Sequence, residues 1–284
     1  MIDLAAIHAS FPDLADIQPV GGISGQKDVF VARKAGQKVC LKMVKKYSGD
    51  ADRTTREIEA VSRLASDYVP VVFDCGVKAV AGEERYYIVE QFIEGQTYRR
   101  VLEACPVQPL GSVLVLAEAL LGACVDFENA SLVHRDIKPE NLILDTTGKV
   151  WVIDFGLARH LDKTSLTLTG QHFGVGTLGY SAPEQLRNIK PEIDSRADLF
   201  SIGVLLYEAL SGANPFAFSP PDPMRSIRKI ESEDLPSLVV PGDDDGDFSR
   251  FIGQLAQRFP SRRPQSAAEA LEWFQPIYAS LSQS

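Results

Sequence analysis

Apolar positions come in short runs over the first third of the chain and lengthen into helical stripes afterwards. Val29-Phe30-Val31-Ala32 and Val39-Cys40-Leu41-Lys42 flank a turn containing Gly36, which predicts a pair of short strands. Ile58, Val61, Leu64 and Ala65 recur at helical spacing, so 53–66 is predicted as a helix. The Val-rich stretch 68–80 and the continuous apolar run 86–92 read as strands, the second buried on both faces. Past Gly95 the pattern changes. Residues 110–130 form one long, nearly all-apolar helix that belongs in a core. Leu142-Ile143-Leu144 and Val150-Trp151-Val152-Ile153 are strand signals joined by a turn at Thr147-Gly148. From Asp194 onward the pattern is helical, broken at Asn214-Pro215, at Pro220-Pro221-Asp222-Pro223 and over 241–247. A small β-rich lobe with one helix, then a larger α-rich lobe, is the expected organisation, with the boundary near 92–96 and a ligand site in the cleft.

Composition narrows the classes. The chain has 284 residues, 45% hydrophobic and 24% charged, enough to bury a large core without staples. Against 38 Asp and Glu stand 29 Lys and Arg, a net charge of −9, which argues against sequence-independent nucleic-acid binding. The cysteines at 40, 75, 105 and 124 form no CxxC pair and read as reduced thiols of a cytosolic protein. Residues 1–20 carry Asp3, Asp13 and Asp16 and lack the basic start of a signal peptide. The apolar stretch 113–125 is broken by Glu118 and falls short of the ~20 residues of a membrane span. The expectation is a soluble, cytoplasmic chain with no membrane or nucleic-acid partner. The acidic run 243–247 lacks the glycine and closing glutamate of a calcium loop and reads as solvated.

The chemistry concentrates in His134-Arg135-Asp136-Ile137-Lys138-Pro139-Glu140-Asn141, followed thirteen residues later by Asp154-Phe155-Gly156. Asp136, Asn141 and Asp154 form an oxygen-ligand set on loops flanking two short strands, which a hairpin brings together at one end. Phosphoryl transfer needs such parts: metal ligands, a group that orients a hydroxyl, and cations on phosphates. Singly, Asp154 would be a turn former and His134 a packed structural histidine, and the latter reading is preferred for His134.

The set resembles the catalytic and metal-binding loops of the protein kinase superfamily. The resemblance covers almost the whole chain, in order. Val39-Cys40-Leu41-Lys42 looks like the strand of the phosphate-contacting lysine, and Glu57 like its helical partner. The segment 176–184, Gly-Thr-Leu-Gly-Tyr-Ser-Ala-Pro-Glu, looks like the end of an activation segment. Asp198-Leu199-Phe200-Ser201-Ile202-Gly203 looks like the start of the large lobe's central helix, and Arg263-Pro264 like the arginine that pairs with Glu184.

The resemblance implies an α+β, bilobal protein-kinase-like fold: one kinase domain over 1–284, with an N-lobe about 1–92, a hinge about 90–95 and a C-lobe about 96–284. It is closest to compact bacterial Hanks-type kinases. The implied activity is ATP-dependent phosphorylation of protein Ser/Thr hydroxyls with Mg²⁺, or Mn²⁺ in its place. Asn141 and Asp154 hold the metal, Asp136 orients the hydroxyl, and Lys138 and Thr177 mark serine/threonine specificity. Val89 falls at the gatekeeper site. The Glu90 carbonyl and Phe92 amide meet the adenine edge, and Val29, Cys40 and Leu144 pack on its faces. Arg135 beside Asp136 implies control by phosphorylation at Thr164, Ser165, Thr167 or Thr169, with a transient homodimer for trans-autophosphorylation.

The glycine-rich loop departs from the family pattern. Alignment on Val29 puts Gly22 first, Ser24 second and Lys27 third, with Gly21 and Gly25 beside the expected sites. Fewer glycines bring fewer backbone amides close to phosphate, and Lys27 either supplies a cation there or points to solvent. A nucleotide-binding scaffold without turnover and a kinase-like small-molecule phosphotransferase are the two alternative readings. The 176–184 segment, a platform for peptides, speaks against the second.

Overall fold

The structure, a computed structural model, describes residues 3–20, 27–45, 59–154, 177–189 and 193–282, the side chains of Lys45 and Thr177 excepted. Gly22, Ser24, Gly25, Glu57 and the hydroxyl residues at 164–169 lie outside the described residues, as do 53–58 of the helix expected at 53–66; of its described part, 59–62 are helical and 63–66 are not.

Two compact units divide the chain. The first comprises the described residues of 3–65 and 70–94; the second comprises 66–69 and those from Gly95 onward. In the first, helix α1 (Leu4–Ser10) begins where the Asp3 carboxylate accepts from the Ala5 N–H, the usual work of an N-cap. Strands β1 (Leu14–Pro19), β2 (Asp28–Lys34), β3 (Gln37–Lys45), β4 (Val72–Val80) and β5 (Glu83–Gln91) form one antiparallel sheet in the order β1-β2-β3-β5-β4. Phe30 pairs with Leu41, and Leu41 with Val89. Directly paired residues point to one face, so Phe30, Leu41, Met43, Tyr87 and Val89 share a core with Ile7 and Phe11. The other face carries Val29 opposite Lys42, and Cys40 opposite Glu90.

The second unit starts with β6 (Gly95–Thr97), which joins β7 (Leu142–Asp145) and β8 (Val150–Val152) in a three-stranded sheet. At Gly95 a Cβ would collide with the backbone of Leu144, so only glycine lets β6 approach β7 this closely. Helices α2 (Tyr98–Ala104), α3 (Leu110–Asn129), α4 (Pro183–Leu186), α5 (Ser195–Ser211), α6 (Pro223–Ser232), α7 (Asp247–Leu255) and α8 (Ala267–Leu281) complete it. The expected core helix is α3. At 20 residues it is long and apolar enough to cross a membrane by composition, yet 61% of that window is buried within the protein. It packs on α5 and α8. The acidic run 243–247 is a helix start: the Asp243 carboxylate accepts from the Phe248 and Ser249 N–H groups.

Candidate active site

The catalytic-type loop lies in the second unit between α3 and β7. His134 is fully buried. Its ring stacks on Phe127 and its Nε2 lies 3.1 Å from the Ile153 carbonyl, a packed structural role as expected. Asp198, near the start of α5, accepts from the backbone N–H of His134 at 2.8 Å and of Arg135 at 2.7 Å. Burial pushes its carboxyl up to about 7 against the opposing pull of those two hydrogen bonds. Arg135 sits at φ +65°, a conformation that costs a non-glycine residue energy and needs surroundings that enforce it. The Asp198 clamp and the Gln185 amide, which donates to the Arg135 carbonyl at 3.0 Å, do so.

This clamp presents the next residue, Asp136. Lys138 Nζ lies 2.9 Å from its Oδ2, and Asn141 Nδ2 donates to the same oxygen at 2.8 Å and to the Asp136 carbonyl at 2.8 Å. Pro139–Asn141 is a single 3₁₀ turn that leads into β7. The Asn141 carbonyl accepts from the Ile153 N–H at 2.9 Å, which ties the start of β7 to the end of β8 and sets Asp154 beside the loop. Asp154 also holds a left-handed backbone, φ +63°. Asp136, Lys138 and Asn141 are thus joined by direct contacts, and Asp154 follows the residue whose N–H bonds the Asn141 carbonyl.

The donor set suits a magnesium ion. With Nδ2 turned to Asp136, Asn141 offers its Oδ1, and Asp154 offers a carboxylate, both hard oxygens. Among the described residues no cluster of three or more His, Cys, Asp or Glu is close enough to enclose a metal. Two protein oxygens are what Mg²⁺ takes when phosphates and water supply the rest.

Arg99 in α2 was not singled out by sequence. Its guanidinium donates to Glu140 at 2.9 Å, to Glu208 at 2.8 Å and to the Tyr180 hydroxyl at 2.6 Å, and that hydroxyl in turn donates to Glu208. It therefore links the catalytic-type loop, α5 and the 176–184 segment. Nothing in its sequence neighbourhood signals this. Asp198 was legible in part, as the first residue of the 198–203 stretch that resembles the start of the large lobe's central helix, although its contact with the 134–135 backbone was not.

In the first unit, Val29, Cys40 and Lys42 share one face, and by strand alternation Lys27 belongs to it. Two assignments need correction. Val89 lies on the opposite face, 1% exposed in the apolar core, so it does not share a face with Lys42. Glu90 takes that place: its carboxylate sits 2.5 Å from Lys42 Nζ. Nor is the Glu90 carbonyl presented at an open edge. Strands flank Glu90 at Cys40 and Val72, and the Gln91 N–H turns to the Val71 carbonyl, so by alternation the Glu90 carbonyl turns to β3. The chain leaves the sheet at Phe92, whose ring lies 4.0 Å beneath Lys38 Nζ. Leu144, in the second unit, is half-buried on β7.

A β-sheet unit followed by a helical unit bearing this loop defines a kinase-like α+β fold, and a family profile described as protein kinase domain matches residues 20–274. The chain belongs to the protein kinase family. It is similar to the serine/threonine-protein kinase PknL of Mycobacterium tuberculosis, 39% identical over 193 residues, which are 66% of this chain and 45% of that protein. It is also similar to the probable serine/threonine-protein kinase PknB of Bifidobacterium longum, 32% identical over 78% of this chain and 33% of that protein. PknB of Mycobacterium leprae is 29% identical over 90% of this chain and 41% of its own length. The chain spans less than half the length of these curated relatives.

Proposed function

We propose that this chain is a serine/threonine protein kinase that transfers the γ-phosphoryl of Mg-ATP to protein hydroxyls, its own among them. The observation that carries the reading is the Asp136 carboxylate, held by Lys138 and Asn141 on a loop whose backbone Asp198 clamps. A carboxylate fixed this way can orient a hydroxyl and accept its proton as the oxygen–phosphorus bond forms and the bond to the ADP leaving oxygen breaks. Lys138, beside it, offsets charge that develops on the transferring group. Lys42 is assigned to the α- and β-phosphates. Asn141 and Asp154 would hold Mg²⁺, which neutralises phosphate charge when bound. Names of the relatives and the peptide-platform segment 176–184 favour protein acceptors.

Labelled ATP with Mg²⁺, run on wild type, Asp154→Asn and Lys42→Ala with casein as acceptor, tests this. Label on the wild type or casein, absent from both variants and mapped to Ser or Thr by mass spectrometry, is the expected result. Nucleotide binding with no transfer to any protein would overturn it.

A further inference from the structure

The ligand-side face of the first unit carries an acid that the proposed chemistry does not call for. Glu90 is paired across the strands with Cys40, one step from Lys42, and its Oε1 reaches Lys42 Nζ at 2.5 Å. The two side chains are only 10% and 12% exposed, so water screens the pair poorly. Resting on the kinase reading above, we propose that Glu90 is a positioning residue for Lys42 that also holds nucleotide affinity down.

Both halves follow from placing a fixed negative charge beside the lysine assigned to phosphates. An ammonium has three donors and can serve a carboxylate and a phosphate together. Glu90 thereby limits where Nζ sits, which favours the aligned geometry of transfer. The same charge partly neutralises Lys42 and repels the polyphosphate, which weakens ground-state binding. The chain so trades affinity for alignment, and these effects separate kinetically: one appears in kcat, the other in KM and in the binding constant.

The test uses the full chain. Mg-ADP affinity is measured by calorimetry, and kcat and KM for ATP by label transfer, for wild type, Glu90→Gln and Glu90→Asp. Glutamine keeps the size and a hydrogen-bonding oxygen but removes the charge. Glu90→Gln should bind Mg-ADP roughly threefold to tenfold tighter, with KM for ATP and kcat both lowered. Glu90→Asp, which keeps the charge, should stay near wild type in affinity. Equal or weaker Mg-ADP binding by Glu90→Gln would overturn the proposal, as would Glu90→Asp following Glu90→Gln. A wild type that binds Mg-ADP but transfers no phosphate sinks the kinase reading and the alignment half with it, while the affinity comparison still decides whether Glu90 holds nucleotide binding down. A wild type that binds no Mg-ADP sinks both.

Discussion

Arg263 grips Glu184 through two parallel bonds, Nη1 to Oε1 at 2.6 Å and Nη2 to Oε2 at 3.0 Å, with both side chains almost wholly buried. The remaining guanidinium donors reach the carbonyls of Gln257, Arg196 and Arg258. All five donors are thus used, which is what makes burying this charge tolerable. Glu184→Ala strands the guanidinium, and Arg263→Met strands the carboxylate. Each should cost about 3–5 kcal/mol in urea unfolding. The double variant should cost clearly less than the two together, because neither charge is then left alone.

Asp198 should make stability depend on pH in an uncommon direction for an acid. Its folded carboxyl lies at about 7, above the ordinary value of 3.8. The native state therefore holds a proton that the unfolded chain has released, so this group's contribution is present below about pH 4 and lost as pH rises through about 7. Asp198→Asn removes the titration and one acceptor, at a cost of about 1–3 kcal/mol. The stability gap between wild type and Asp198→Asn, measured by chemical unfolding, should narrow from pH 5 to pH 8. A gap that widens over this range would contradict the assignment.

Arg99→Ala should affect the protein acceptor more than the nucleotide. It frees Glu140 and leaves the largely buried Glu208 with Tyr180 alone. Of the three bonds lost, the one to Glu140 is the tie to the catalytic-type loop; one charge-assisted bond corresponds to about tenfold, so kcat/KM for a protein acceptor should fall by at least about that factor. KM for ATP should stay unchanged. Steady-state kinetics with each substrate varied in turn would check both.

Gly122 sits in α3 against the Tyr68 ring, and a Cβ there would lie 2.6 Å from it. Gly122→Ala improves helix propensity but overpacks. The steric term should win, lowering stability by about 1–3 kcal/mol in urea unfolding.

How far the sequence was legible follows from the physics of each element. The hairpin and α3 could be read because local spacing determines them: a turn at Thr147-Gly148 fixes the hairpin, and the hairpin brings Asn141 to Ile153; the loop at 134–141 was read from the motif it resembles, since its backbone is held by the distant Asp198 and Gln185. That Glu90 meets Lys42 was not readable. The run 86–92 is apolar almost throughout, so it has no alternation to say which side chains share a face with Lys42. A shift of one residue exchanges Val89 for Glu90. Arg99 joins residues 41, 81 and 109 positions away, a convergence that only tertiary folding creates. Helix α1 escaped notice because seven residues give little periodicity, although Asp3 already marked its start.

That short helix separates two boundaries that are easily equated. Homology with the kinase family begins at residue 20, yet Ile7, Phe11, Leu14 and Ile17 are buried together with Phe30, Leu41, Met43 and Val89. An excision guided by alignment would strip four side chains whose burial is worth ~1.5–3 kcal/mol each, a sum comparable with the entire stability of a domain. It would do so from beneath the strands that carry Lys42 and Glu90 on their reverse side. The preamble to the homologous segment is therefore the keel of the sheet, and a piece cut at residue 20 should be markedly less stable than one that keeps it.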